Sequence, residues 1–250
     1  MGIPFTRAAS AAALVLSVAG AAQAAIRSHS GTTPPDSVGF TAVANYGAYE
    51  SYDANDGGLG VPAWQLSKPI TSVQKGYEYV LSNEEVQEAQ NIGWFVKARI
   101  RVATNNDAPD YSVSVLYSNG VKRFDLLLGA TADGDPIAKL ADSFIGDGES
   151  ATGSIFTLTG GGSGFHTYEM RFDAQSQGID LFIDGIERMS DYAGHSIYVP
   201  SPRLDFGAFG NEGTGDGRYN EVSIALVPEP ASVGLLLAAG GLLILRRRRT

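Results

Sequence analysis

Several carboxylates lie on candidate strands, and paired carboxylates are the groups that hydrolyse glycosidic bonds. Retaining hydrolysis uses two carboxyl groups about 5 Å apart, one as nucleophile and the other as acid and base. The sequence offers four candidates on two successive predicted strands: Glu169, Asp173, Asp180 and Asp184. Like charges on paired strands are tolerated when they are hydrated. We therefore interpret these carboxylates as a solvated sheet face and a turn, and assign no catalytic residue.

The remaining residue types with reactive side chains give no motif. The three histidines, His29, His166 and His195, lack the spacing of a zinc site. Ser163 stands between two glycines but has no strand, elbow and helix around it. The chain has no cysteine, which excludes thiol chemistry and disulfide bonds.

Acidic turns offer oxygen ligands to a hard cation. Asp53, Asn55 and Asp56 form one such turn, and residues 133–135 and 147–149 are similar. Ca²⁺ takes six to eight oxygen ligands, but none of these turns has the spacing of an EF-hand loop. Turns also favour Asp, Asn and Gly for backbone reasons alone. Calcium at the first turn is therefore one interpretation, and a metal-free turn is the other.

Two groups of aromatic residues could form a platform for a sugar ring. Small-ligand sites combine apolar surface with a few hydrogen-bonding groups. The alternative is that these rings close the edges of the fold while their hydroxyl groups meet water. The candidate ligand-binding residues are Tyr46, Tyr49, Tyr52, Tyr192, His195 and Tyr198.

An all-β fold must position these residues. Between Val38 and Leu226, short runs alternate apolar and polar residues and are separated by Gly, Asn, Asp and Pro, which is typical of a β-sandwich. The clearest run is residues 94–102, in which every second residue is apolar. The other predicted strands cover residues 111–117, 121–128, 154–159, 166–173, 179–184, 203–209 and 219–226.

Local signals add two hairpins and one helix. Asn119-Gly120 and Asp184-Gly185 are dipeptides that suit the positive φ angles of tight hairpin turns. Residues 82–85, Ser-Asn-Glu-Glu, form a capping box, so we predict a short helix from about residue 83 to residue 90.

The central predicted hairpin resembles a known superfamily. Residues 165–173 open with an aromatic residue and His and end in Asp, and residues 179–185 end in Asp-Gly. This pattern is similar to that of the concanavalin A-like, laminin G-type jelly rolls, and residues 218–224 resemble their last strand. The resemblance implies one β-sandwich domain over residues 25–226. Glycan-cleaving enzymes of the superfamily carry a Glu-x-Asp-x-Glu or Glu-x-Asp-x-x-Glu strand, which this sequence lacks, so we expect a lectin-like domain that is not an enzyme.

The first 24 residues have the features of a signal peptide. Arg7 precedes an Ala-, Leu- and Val-rich run, and Ala22 and Ala24 frame an Ala-x-Ala cleavage site for signal peptidase. The run is too short to span a bilayer. We therefore expect export and a mature chain that begins at Ala25.

Residues 227–250 combine a motif, an apolar run and a basic cluster. Pro228, Glu229 and Pro230 precede the uncharged segment 231–245, which predicts a short transmembrane helix. The cluster should stay cytoplasmic and leave residues 25–226 outside. It consists of Arg246, Arg247, Arg248 and Arg249. The three-part order resembles the PEP-CTERM sorting signal, which implies recognition by an exosortase, a transient inner-membrane anchor and display at the cell surface or release.

The charge of the body restricts its partners. Removing both ends takes away five of the 18 basic residues and one of the 27 acidic residues, which leaves a net charge of −13. Such a field repels nucleic acid and anionic lipid, whereas neutral glycans and cations are compatible with it. We therefore expect an exported, carbohydrate-binding surface or matrix protein with exopolysaccharide as a candidate ligand. The alternatives are a structural matrix or coat protein with protein partners and, third, a glycan hydrolase or lyase.

Overall fold

Sixteen strands and one α-helix make up the described part of the chain. The computed structural model describes residues 25–47, 49–103, 109–142, 153–196, 201–209 and 213–227. The helix is α1 (Asn83–Ile92), and 3₁₀ turns cover Pro35–Val38 and Asp56–Gly58. The strands are β1 (Ala25–His29), β2 (Thr41–Tyr46), β3 (Tyr49–Asp53), β4 (Ala63–Lys68), β5 (Gln74–Val80), β6 (Trp94–Val102), β7 (Ser114–Ser118), β8 (Lys122–Ala130), β9 (Pro136–Ala141), β10 (Gly153–Thr157), β11 (His166–Asp173), β12 (Gly178–Ile183), β13 (Ile186–Tyr192), β14 (His195–Ser196), β15 (Arg203–Ala208) and β16 (Gly215–Leu226).

These strands form two antiparallel sheets that pack as a sandwich. Sheet A has the order β13-β12-β11-β6-β16-β4-β3, and β1 also pairs with β16. Sheet B has the order β10-β9-β8-β7-β15-β5-β2, and β14 also pairs with β8. The all-β sandwich predicted from the alternating pattern is confirmed. All described residues belong to one unit, Gln23–Glu229.

The apolar core lies between the two sheets. Every second side chain of β6, from Trp94 to Val102, is buried in it, as the sequence pattern predicts. The Trp94 ring stacks on Phe172 of sheet A at 5.4 Å between centroids and contacts Tyr117 of sheet B at 4.2 Å. Aromatic pairs of this kind add about 0.5–1.5 kcal/mol beyond the area they bury. Every second residue of β7, β8 and β15 also faces this core, so the residues between them point away from it.

The local signals are confirmed. At the start of α1, Glu85 N donates to Ser82 Oγ at 3.2 Å and Ser82 N donates to Glu85 Oε2 at 2.7 Å, which is the predicted capping box. The hairpins β7–β8 and β12–β13 turn at residues 119–120 and 184–185, as predicted. Asp184 and Gly185 both have positive φ angles, 52° and 78°.

Strands at the front of the chain and at the sheet edges were not predicted from the sequence. The strands β2 and β3 are edge strands, so their sequences lack a regular apolar stripe. The strand β9 is buried along its whole length, so its residues do not alternate. Residues 111–113 form a turn before β7, not the start of that strand.

Both predicted targeting segments lie outside the described residues. This applies to the signal peptide, 1–24, and to the tail, of which only Val227 is described. Within the described ranges, no helix is long and apolar enough to cross a membrane.

Candidate functional site

Buried and half-buried polar side chains line the outer face of sheet B, which is the face turned away from the core. On β15, Leu204 and Phe206 lie in the core, so Arg203 and Asp205 point outward. On β8, Phe124 and Leu126 lie in the core, so Arg123 and Asp125 point outward. We call this group the outer-face site, and its members are Glu78, Tyr111, Arg123, Asp125, His195, Arg203 and Asp205.

The strand register arranges these groups in two rows across the sheet. Asp205 lies opposite Glu78 on one side and opposite Leu116 on the other, and Leu116 lies opposite Asp125. This row carries the carboxylates. Two residues along the strands, Arg203 lies opposite Ser118, Ser118 opposite Arg123, and Arg123 opposite His195. The second row therefore carries basic groups beside the carboxylates.

Asp125 is a fully partnered carboxylate. Its exposed fraction is 0%, and Oδ1 accepts a hydrogen bond from Arg123 Nε at 2.6 Å. Oδ2 accepts from the Tyr111 hydroxyl at 2.8 Å and lies 3.2 Å from His195 Nε2. Burial opposes ionisation, but the charge of Arg123 and the contacts with His195 and Tyr111 outweigh it and lower the pKa of Asp125. Asp125 is therefore ionised and held in place.

Asp205 is in the opposite situation. It is 5% exposed, and Oδ2 accepts a hydrogen bond from Arg203 Nε at 2.9 Å. Its other oxygen, Oδ1, is buried without a hydrogen-bond partner among the described residues. Burial raises the pKa of Asp205 to about 7, with Glu78 and Asp125 acting in the same direction and Arg203 and Arg123 against it. The two aspartates of one row thus differ in both partners and protonation.

Glu78 lies at the accessible side of the outer-face site. Its side chain is 21% exposed, and Arg203 Nη1 lies 3.6 Å from Glu78 Oε2. The Arg203 guanidinium, with 30% of its side chain exposed, therefore contacts both Glu78 and Asp205.

An apolar cluster covers the adjoining part of the same face. Tyr111 packs there with Leu116, Leu127 and Ala141, and Phe209 packs against them. The Phe209 ring occupies the space above Gly76, where an added Cβ would lie 2.1 Å from a ring atom. The outer-face site thus adjoins an apolar cluster that shares Tyr111 with it and includes the Phe209 ring.

One residue of the predicted ligand-binding set belongs to this site. His195 lies against Asp125, although it is buried and not exposed as a platform. The Tyr192 hydroxyl bonds to the Ala141 carbonyl, and its burial raises the pKa of that hydroxyl. Tyr198 lies outside the described residues.

The other tyrosines of the predicted set lie elsewhere. Tyr49 and Tyr52 are 69% and 48% exposed on β3, at the opposite edge of sheet A from the strand of Tyr192. Tyr46 belongs to β2 of sheet B. The described tyrosines of the set do not form a single platform.

The predicted calcium turn is held by protein groups. Asp53 Oδ1 accepts from Asn55 N at 2.9 Å, and Asn55 Oδ1 accepts from Gly60 N at 2.5 Å. Asp56 is buried, and both of its oxygens accept from the Arg101 guanidinium, at 2.6 and 2.8 Å. The described ranges contain no group of three or more His, Cys, Asp or Glu side chains placed to hold a metal. Calcium at this turn stays a prediction.

The four carboxylates singled out in the sequence have local partners. Glu169 pairs with Arg171, and Asp184 Oδ2 lies 2.8 Å from His166 Nδ1. Backbone N–H groups donate to Asp173 and Asp180. They form a partly exposed set that stabilises local turns, distinct from the outer-face site.

Comparison with known proteins supports the fold. No protein-family model matches the sequence, and the search of curated proteins gave no match. The carbohydrate esterase of the Shiga toxin-encoding bacteriophage phi24B is similar in structure, with a TM-score of 0.56 and 16% identity, over 82% of this chain and 100% of that chain. The CBM2 module of the evolved Dit of Lactobacillus casei phage J-1 has a TM-score of 0.48 and 12% sequence identity. The match covers 82% of this chain and 96% of that chain. A Bacteroides ovatus GH16 protein has a TM-score of 0.47 and 9% sequence identity, over 79% of this chain and 98% of that chain.

The strand order and the similarity to the esterase define a jelly-roll-like β-sandwich, a fold that a carbohydrate esterase shares. This corrects one prediction. We expected a domain that is not an enzyme because the Glu-x-Asp-x-Glu strand is missing. The shared fold with a carbohydrate esterase shows that this exclusion is wrong, since the sandwich also carries enzymes of carbohydrate chemistry.

Sequence reasoning missed most of the outer-face site. Asp125 and Asp205 each occupy the polar position of an apolar strand, which looks the same in sequence as a solvated face. The Arg-x-Asp pattern occurs three times, at residues 123–125, 171–173 and 203–205. The first and third copies lie on the two strands that flank β7, whereas the second lies in sheet A, so the pattern alone does not single out the site.

Proposed function

We propose that this protein binds a glycan and that the outer-face site of sheet B is its binding surface. The observation that carries the proposal is the buried, unpartnered Oδ1 of Asp205. An unsatisfied buried acceptor costs about 1–3 kcal/mol. A hydrogen bond donated by a sugar hydroxyl group would satisfy this oxygen.

The surrounding groups suit a sugar. Hydroxyl groups both donate and accept, so they bind to carboxylate and guanidinium groups placed side by side. Arg203 and Glu78 supply such groups at the accessible side. The half-buried Phe209 ring supplies the apolar surface that a sugar ring also needs, and the buried Tyr111 belongs to the cluster against which Phe209 packs. The proposal rests on this site, since one fold hosts many functions.

The proposed setting of the protein comes from its sequence. Under the resemblances described above, signal peptidase would cleave after Ala24 and an exosortase would act near residues 228–230. The domain would then be displayed at the cell surface or released, where exopolysaccharide is the proposed ligand. Calcium at Asp53, Asn55 and Asp56 is retained as a proposed cofactor.

Calorimetric titration of the purified full-length chain tests the binding proposal. The ligands are neutral polysaccharides such as dextran and mannan and uronic-acid polysaccharides such as alginate, each in EDTA and again in calcium. We expect saturable binding that Arg203→Ala weakens and that Arg171→Ala, on the outer face of sheet A, leaves unchanged. Equal affinity for the two variants would place the glycan elsewhere, and no binding of any polysaccharide would refute the proposal.

A further inference from the structure

Glu78 and Asp205 form a carboxyl pair across two strands. They are directly opposite each other in the antiparallel pairing of β5 with β15. Side chains in such positions have Cβ atoms about 4.5–5.5 Å apart. Retaining glycoside hydrolysis requires two carboxyl groups about 5–5.5 Å apart. The register thus places the two side chains next to each other on one face of the sheet, close enough for Arg203 to contact both carboxyl groups.

The two carboxyl groups have unequal surroundings. Asp205 is buried with Oδ1 unpartnered, whereas Glu78 is partly exposed. A carboxyl group in a dry environment is suited to donating a proton, and one at the solvent edge is suited to attacking a substrate. Arg203 contacts both and fixes their relative position.

We infer that Glu78 and Asp205 are the catalytic residues of a retaining glycoside hydrolase activity at the outer-face site. This inference rests on the proposed glycan binding at that site. The two residues lie on different strands, β5 and β15, whereas a Glu-x-Asp-x-Glu motif places its carboxylates on one strand.

The reaction has two steps. Glu78 forms a bond to the anomeric carbon while the bond from that carbon to the glycosidic oxygen breaks, and Asp205 gives its proton to the departing oxygen. A water molecule then attacks the anomeric carbon, Asp205 takes one of its protons, and the bond to Glu78 breaks. One water is consumed, both carboxyl groups are restored, and the anomeric configuration is retained.

The protonation of Asp205 agrees with this role. Burial raises its pKa to about 7, so the carboxyl group carries its proton below pH 7 and is about half protonated at neutral pH. The charged groups that face Asp205 are Arg203 on its own strand, Glu78 on β5, and Arg123 and Asp125 on β8. Glu78 and Asp125 favour the protonated form, and the two arginines oppose it.

The test uses the full chain with two kinds of substrate: aryl glycosides with a dinitrophenyl leaving group, over a panel of sugars, and the polysaccharides that bind in calorimetry. We expect turnover with retention of the anomeric configuration, measured by NMR of the sugar that forms first. Asp205→Ala should slow polysaccharide cleavage by about 10²–10⁴ while affecting the dinitrophenyl glycoside much less. Glu78→Ala should lose turnover of both substrates.

Added azide separates the two roles. With Glu78→Ala it should restore turnover and yield a glycosyl azide of inverted configuration, because azide replaces the missing nucleophile. With Asp205→Ala it should yield a glycosyl azide of retained configuration. A merely structural role for either residue would give neither product.

Glu221→Gln is the matched control, since Glu221 is 32% exposed on the outer face of sheet A and pairs with Lys97 at 2.9 Å. It should keep full turnover. Full activity of Glu78→Gln, an inverted product from the unaltered chain, or no turnover of any aryl glycoside and bound polysaccharide would overturn the inference. In the last case, persisting calorimetric binding would leave the proposed function standing, whereas absent binding would refute that as well.

Discussion

Replacing Asp205 by Asn should change how the stability of the protein depends on pH. In the folded state burial raises the pKa of Asp205 to about 7, while an unfolded aspartate has its ordinary value of about 3.9. Between these values the folded state binds more protons than the unfolded state. Stability of the unaltered protein is therefore lost as the pH rises through this window.

The magnitude follows from the size of the window. One pKa unit corresponds to about 1.4 kcal/mol, so raising the pH from about 4.5 to about 8 should cost the unaltered protein on the order of 3 kcal/mol through Asp205 alone. The Asn variant does not titrate at this position and resembles the protonated carboxyl in shape. The variant should match the parent at the lower pH and exceed its stability at the higher pH.

Urea denaturation followed by tryptophan fluorescence measures this difference. Trp94 is fully buried in the core, so its emission reports unfolding. Curves for the parent, Asp205→Asn and the control Glu221→Gln are compared at both pH values. If the difference in free energy of unfolding between parent and Asp205→Asn stays constant with pH, Asp205 is ionised throughout and the reasoning about its environment is refuted.

Three further changes test other parts of the structure. Tyr111→Phe removes a hydrogen bond to the buried Asp125 carboxylate and should lower the free energy of unfolding by about 1.5–3 kcal/mol in urea denaturation; no loss would mean that water replaces the hydroxyl. Gly76→Ala places a methyl group within 2.1 Å of the Phe209 ring and should destabilise by about 1–3 kcal/mol, measured as a lower denaturation midpoint; an unchanged midpoint would show that the ring moves freely. Ser82→Ala removes the N-cap of α1 and should cost about 1 kcal/mol, with Ser82→Thr as the tolerated control. Equal loss in both would contradict the capping role.

Much of the fold could be predicted from local sequence. In β6 the alternation of residues 94–102 follows directly from a strand with one face in the core. The hairpin turns and the start of α1 depend on backbone angles and capping groups within a few residues. Such features need no knowledge of distant parts of the chain.

The candidate site could not be predicted in the same way. Asp205 and Glu78 become neighbours only because β15 pairs with β5, and the sequence does not reveal that pairing. Asp125 likewise accepts a hydrogen bond from Tyr111, which lies in a turn where a strand was predicted. Of the predicted set, His195 reaches the site for a reason the sequence did not show, since its ring lies against a buried carboxylate.

The position of the last strands has a consequence for when the domain can fold. Among the described strands, β15 and β16 come last in chain order, yet β15 lies between β7 and β5, and β16 lies between β6 and β4. Until both have left the ribosome, each sheet consists of two halves with open edges. Nascent chains that stop short of residue 203 should therefore expose unpaired strands to chaperones or to each other, and cooperative folding should begin only after synthesis of residue 226.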